Sequence, residues 1–243
     1  MHGFVVLITV FMFMCFSLSS LADEIIYAGN FSSLSHKEGF PEGWEPLRFE
    51  KITSYTDYTL IEDEGIRVVK AVSSASASGL ARDLTIDIKQ YPIIRWRWKV
   101  SNVYIKGDVT KKIGDDYPAR IYVSFLYDPD RVGFFERAKF KMAKMVYGKY
   151  PPGSAINYIW ASHAKSGAIV SNPYSDHVKM IVIESGKEAL NTWVTEERNI
   201  YNDYVEAFGV EPPMMSGIAI MTDSDNTKES ATAFYGDILF KKK

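Results

Sequence analysis

One cysteine, Cys15, occurs in the 243 residues, and it lies in a segment expected to leave on export. A mature chain without cysteine has no disulfide, no thiolate metal site and no cysteine nucleophile, so its stability must come from buried area. Histidine is nearly as scarce. Besides His2 there are His36, His163 and His177, with no shared spacing, which gives no support for a zinc site or a Ser-His-Asp relay. An excess of charge is missing too: 28 basic against 30 acidic residues leave a net charge of −2, so nothing draws the chain as a whole to nucleic acid. A Gly-rich phosphate cradle between strand and helix is absent, which disfavours nucleotide cofactors. Apolar runs long enough to span a bilayer are absent as well.

The longest apolar run, residues 4–16, is followed by Ser17-Leu18-Ser19-Ser20-Leu21-Ala22 before Asp23. This pattern reads as a secretory signal cleaved after Ser20-x-Ala22, and it predicts a periplasmic or secreted protein. The n-region carries no Lys or Arg, so the alternative is a signal retained as an anchor. Removing residues 1–22 leaves residues 23–243, expected to form one domain.

What the mature chain has in plenty is short alternation of apolar and polar residues. Ile66–Ser73, Leu80–Ile88, Ile93–Ser101, Ala119–Tyr127, Val178–Glu184, Gly217–Thr222 and Ala233–Phe240 all show it. Such runs, separated by turns rich in Gly, Asp, Asn and Ser, predict an all-β antiparallel β-sandwich of jelly-roll, galactose-binding-like type. One or two helices interrupt it. At about residues 131–147 a helix would align Phe134, Phe135, Ala138, Met142, Met145 and Val146 in one stripe and Arg137, Lys141 and Lys144 on another face. Two readings are open for this element: a helix packed across the sandwich through its stripe, or a peripheral membrane contact. A second, structural helix is expected at about 200–208, stopped by Gly209.

Three motifs carry candidate chemistry. In Arg95-Trp96-Arg97-Trp98-Lys99-Val100, strand alternation sends the two tryptophans to the core and three cations to the other face. Those cations must be answered by carboxylates, with Asp115, Asp116, Asp223 and Asp225 available, or by a polar ligand that Arg97 and Arg120 hold by forked hydrogen bonds. Asp115-Asp116-Tyr117-Pro118-Ala119-Arg120 places two carboxylates at a turn before a strand. Asp116 is then a candidate acid–base residue, with Asp203, Asp223 or Asp225 as its partner, or simply part of the turn. Asp223-Ser224-Asp225-Asn226-Thr227 has the oxygen-rich look of a calcium loop, with Asp237 as a candidate third ligand, but it fails the EF-hand pattern at Lys228 and Phe234. A structural turn or a polar-ligand contact is the alternative.

These motifs, together with Asn157-Tyr158-Ile159-Trp160, Asn172-Pro173-Tyr174, Glu197-Arg198-Asn199 and Tyr235-Gly236-Asp237-Ile238, resemble a family of exported bacterial proteins. It is catalogued only as a domain of unknown function, number three-zero-four-seven. The resemblance covers about residues 44–240 and implies no particular activity. The final Tyr-Gly-Asp-Ile strand is also similar to the last strand of jelly-roll carbohydrate-binding modules, some of which hold a calcium there. The resulting expectation is a glycan-like ligand bound by Arg97, Asp115, Asp116, Arg120, Tyr122, Asn172, Tyr174, Arg198, Asp223 and Asn226. The competing expectations are a glycan hydrolase or lyase, and an envelope protein that meets lipid through residues 131–147.

Overall fold

A computed structural model describes residues 24–34, 40–148 and 150–243. The export signal expected at residues 1–22 and His36 lie outside the described residues. Among the described residues no helix is long and apolar enough to cross a membrane.

In chain order the strands are β1 (Ile25–Gly29), β2 (Glu45–Leu47), β3 (Asp57–Asp63), β4 (Ile66–Ser74), β5 (Ala77–Ile86), β6 (Ile93–Val100) and β7 (Arg120–Phe125). Helix α1 (Phe134–Tyr147) follows, then β8 (Ser154–Ala161), β9 (Ile169–Asn172), β10 (Ser175–Ser185), β11 (Val194–Asn199), α2 (Ile200–Phe208), β12 (Met215–Asp223) and β13 (Ser230–Lys241). The first sheet runs β11-β6-β13-β4-β3, with β1 also on β13; the second runs β2-β5-β12-β7-β8-β10-β9. The two face each other as a jelly-roll sandwich. All seven alternating runs of the sequence are strands, and both helices stand where their periodicity places them. Strand β10 pairs with β8 in parallel, an exception to the antiparallel pairing of the other ladders among the described residues.

The core forms where the pleats of the two sheets meet. From β6, Trp96 and Trp98 point inward and are buried. Trp96 stacks on Tyr158 of β8 at 5.1 Å, and Trp98 lies 5.9 Å from Trp160. Each ring buries an area worth several kcal/mol, with a further contribution from the aromatic pairing. Trp44 and Trp160 are buried in the core as well.

The opposite face of β6 is cationic, as the alternation predicts, but its partners differ from those expected. Lys99 donates to Asp63 of β3 at 2.5 Å, and the Arg97 guanidinium lies 4.5 Å above the Trp193 ring. Asp115, Asp116 and Asp223 belong to the other sheet and its loops. Gly236 explains the posture of Arg97: a Cβ there would come within 2.4 Å of Arg97 Nε, so only glycine lets the side chain cross the β13 bulge.

Where the two sheets approach at one margin, Glu196 of β11 meets Glu184 of β10. Burial, and then the charge of Glu184, push the Glu196 carboxyl up to about 7. A raised carboxyl binds its proton more tightly in the folded chain than in the unfolded one, so its stabilising contribution is complete below the ordinary value of 4.5 and is lost as pH rises towards 7. Thermal melts of the parent and Glu196→Gln between pH 4 and 8 should therefore diverge, the parent losing stability relative to the variant as pH rises. Parallel curves would show that the proton is not held there.

Helix α1 is attached differently from the expectation that its apolar stripe packs on the sandwich. The residues turned inward are Glu136, Phe140 and Ala143. Phe140 stacks on Tyr127 at 4.0 Å, and Glu136 pairs with His177 at the start of β10 at 2.6 Å. The stripe itself faces away: Phe134 is 81% exposed, Phe135 83% and Met145 86%. The contacts of Phe140 with Tyr127 and of Glu136 with His177 hold the helix in this rotation.

Candidate functional site

The site is built on the outer face of the second sheet. Along β7, Ile121, Val123 and Phe125 enter the core, so Arg120 and Tyr122 must point outward. On β12, Ile218 and Ile220 enter the core, which turns Ala219, Met221 and Asp223 to the same outer side. Pleat alternation, together with the β7–β12 pairing, thus brings a cation of one motif beside a carboxylate of another, 103 residues apart in sequence.

Arg120 Nη2 donates to Asp223 Oδ2 at 2.5 Å, and both side chains are buried. The guanidinium lies 5.2 Å from the centres of both the Tyr117 and Tyr122 rings. Its Nε and Nη1 are buried and have no hydrogen-bond partner. Leaving such donors unsatisfied is costly, on the order of 1–3 kcal/mol or more for a charged group.

Asp115 and Asp116 diverge. Asp116 is buried and clamps the Asp-rich loop, accepting from the amides of Asn226 at 3.2 Å and Thr227 at 2.5 Å and from the Asn226 side chain at 3.1 Å. That is the reason the two acidic motifs meet. Asp115 faces the other way, accepting from Tyr117 Oη at 3.0 Å and Asn172 Nδ2 at 3.2 Å. Tyr174, 57% exposed, arches over the group and donates to Asn226 Oδ1 at 3.1 Å.

Around Arg120 opens a cleft of about 800 Å³ whose wall includes Asp115, Tyr122, Asn172, Tyr174, Asp225 and Asn226, together with the 48–52 loop. Burial holds the Asp115 carboxyl above the ordinary carboxylate range. Asp225 is raised by burial and by the charge of Asp116, and Asp223 is raised by burial against the opposing pull of Arg120. Burial pushes the Tyr122 phenol up to about 12, which keeps its proton in place.

Of the residues expected in a ligand site, Asp115, Arg120, Tyr122, Asn172, Tyr174, Asp223 and Asn226 stand together, with Asp116 behind them. Arg97 and Arg198 do not join. Arg97 lies on the first sheet, and Arg198 forks onto Asp203 at 2.5 and 3.1 Å. Asp203, a candidate catalytic carboxylate, is buried in that pair and also accepts from Tyr158 Oη at 2.8 Å, so it is structural. Asp237, the candidate third calcium ligand, instead accepts from Ser32 N at 2.9 Å and Ser32 Oγ at 2.5 Å. The carboxylates that do converge are Asp116, Asp223 and Asp225, with ligand atoms within 4.8 Å of one another. Their chemistry does not suit calcium: both Asp116 oxygens already accept N–H donors, and Asp223 carries a guanidinium, a cation where the metal would sit. The 48–52 loop was missed because it carries no motif. Asn157, noticed only as part of a motif, is fully buried in register with Tyr122, and neither end of its amide has a partner.

The chain belongs to the family described as Protein of unknown function (DUF3047), whose model matches residues 42–239. Comparison with the curated proteins finds no match. Among solved structures, the xylan-binding module CBM15 is similar at 10% identity, over 90% of this chain and 97% of that one, with a TM-score of 0.36. The family GH12 endoglucanase 3 of Trichoderma harzianum is similar at 8% identity, over 82% and 98%, with a TM-score of 0.39. Similarity at this level carries no ligand or activity to this chain.

Proposed function

We propose that this is an exported protein that binds a neutral, hydroxyl-rich ligand of glycan type in the Arg120 cleft. One observation carries the reading: a buried guanidinium on the cleft wall with two unpartnered N–H-bearing nitrogens. Its surroundings select the ligand class. Asp115, Asp223 and Asp225 crowd negative charge around a single arginine, which opposes an anionic ligand. A sugar hydroxyl both donates and accepts, so vicinal hydroxyls match a wall that alternates carboxylate acceptors with the donors of Arg120, Asn172 and Tyr122. Tyr174 supplies an exposed ring at the rim for stacking.

The test is a neutral-glycan array read beside thermal shift, with the parent compared with Asn172→Ala and Tyr174→Ala. Binding by the parent that falls about tenfold or more in each variant is expected, the size of one lost polar or stacking contact. A parent that binds only acidic glycans, or variants that bind as well as the parent, would overturn the reading.

A hydrolytic version of the same site is favoured by one further fact: Asp115 and Asp225 both line the cleft and both hold their protons above the ordinary range. In that version one of these two, rather than Asp116 or Asp203, acts as the acid.

A further inference from the structure

Helix α1 carries an apolar surface that nothing among the described residues covers. On an ideal helix Phe134, Phe135, Ala138, Met142 and Met145 fall within about 100° of one another, and all are exposed. The opposite face, Glu136, Phe140 and Ala143, is the one turned to the sandwich. Between the two faces stand the cations: Arg137, Lys141 and Lys144 along one flank of the stripe and Lys139 along the other, all exposed. The only acid of the helix, Glu136, is engaged with His177 on the inner side, so the outward surface has positive charge and no compensating negative charge of its own.

We propose that α1 is a docking surface for an anionic lipid bilayer, lying in the plane of the headgroups with Phe134, Phe135, Met142 and Met145 in the acyl boundary. The charge pattern selects this occupant. Lysines on both flanks of an apolar stripe can reach phosphates on either side while the stripe is immersed, whereas lysine is depleted in the buried centres of protein interfaces. A second copy of the chain would bring the same four cations against themselves, which costs free energy unless anions intervene. No residue of α1 lines the Arg120 cleft, so the surface does not depend on what the cleft binds.

The measurement is co-sedimentation of residues 23–243 with vesicles of phosphatidylglycerol and phosphatidylcholine, and with phosphatidylcholine alone, at low salt and at 1 M. Binding to the anionic vesicles is expected, with strong loss at high salt because the headgroup attraction is screened. In Phe134→Ser/Phe135→Ser, affinity should drop by about a hundredfold, two exposed rings being lost from the boundary. Both rings are solvent-exposed, so this variant should melt like the parent. In Lys141→Glu/Lys144→Glu the anionic preference should vanish. No binding to anionic vesicles overturns the proposal, and so does equal binding by the phenylalanine variant. Sedimentation velocity of the parent without lipid separates the remaining occupant: a dimer abolished by Phe134→Ser/Phe135→Ser would assign the face to a second copy.

Discussion

Replacing Arg120 by methionine is expected to cost about 3–5 kcal/mol of stability, because it leaves the Asp223 carboxylate buried without its cation. Both side chains are buried and the guanidinium is flanked by the Tyr117 and Tyr122 rings, so water solvates the carboxylate poorly once the guanidinium is gone. The informative variant is the double one. Arg120→Met with Asp223→Leu removes both charges together, and apolar replacement of a whole buried pair is commonly neutral or better. Chemical denaturation should therefore show a large loss for Arg120→Met and recovery of most of it in the double variant. The recovered protein should nonetheless bind no glycan, since the N–H donors facing the cleft have gone. A double variant that folds and binds would detach Arg120 from recognition, and an Arg120→Met variant within 1 kcal/mol of the parent would show that the pair is wetter than its burial indicates.

Asp203→Ala should destabilise by somewhat less, about 1–3 kcal/mol, the cost of leaving a buried hydroxyl without its acceptor. Asp203 is the acceptor of a forked bond from Arg198 and of the Tyr158 hydroxyl, and Tyr158 is itself stacked on Trp96. Removing the carboxylate leaves the buried Tyr158 phenol without an acceptor, whereas the Arg198 side chain, 37% exposed, passes to solvent. Ligand affinity of the folded fraction should be unchanged, because none of these groups reaches the cleft. Urea midpoints combined with titration at a temperature where the variant is still folded will separate the two quantities. If Asp203→Ala stays stable yet loses ligand binding or turnover, Asp203 belongs to the functional site after all.

The two outcomes bear on the same question from opposite sides, since Arg120 and Arg198 look alike in the sequence. Arg120 opens β7 and Arg198 lies near the end of β11, each has an aspartate at hand, and each is a candidate ligand anchor. Arg198 finds its aspartate five residues away in the first turn of α2, which takes the Nε and Nη2 edge of its guanidinium in a fork. Arg120 finds Asp223 only through the sheet, and there Nη2 alone meets the carboxylate while Nε and Nη1 are left without partners. The difference between a structural arginine and a recognition arginine is therefore one of unsatisfied donors, which has no signature in local sequence.

Much of the fold is legible from residue order because it rests on local rules. Alternation marks β4, β5, β6, β7, β10, β12 and β13, since a strand with one face in the core must repeat every two residues. Strands β1, β2, β3, β8, β9 and β11 escape that reading. β8 is buried along nearly its whole length on both faces, which erases the alternation, while β2 and β9 are too short to show a period. The helices are legible from their 3.6-residue period and from the glycines at 148 and 209, whose positive φ ends each one.

By itself, then, the sequence determines which residues of the seven alternating strands point together, where the helices run, and that Trp96 and Trp98 face opposite to Arg97 and Lys99. Tertiary structure alone decides who answers whom. Lys99 meets Asp63 and not the acidic loops, Asp116 clamps the loop at Asn226 and Thr227, Asp237 is drawn to Ser32, and the apolar stripe of α1 turns outward. Pleat and period are set by steric relations among neighbouring residues, whereas pairing across more than a hundred residues depends on strand order and register. Those two features are selected by the burial of the whole core and are not encoded in any single segment.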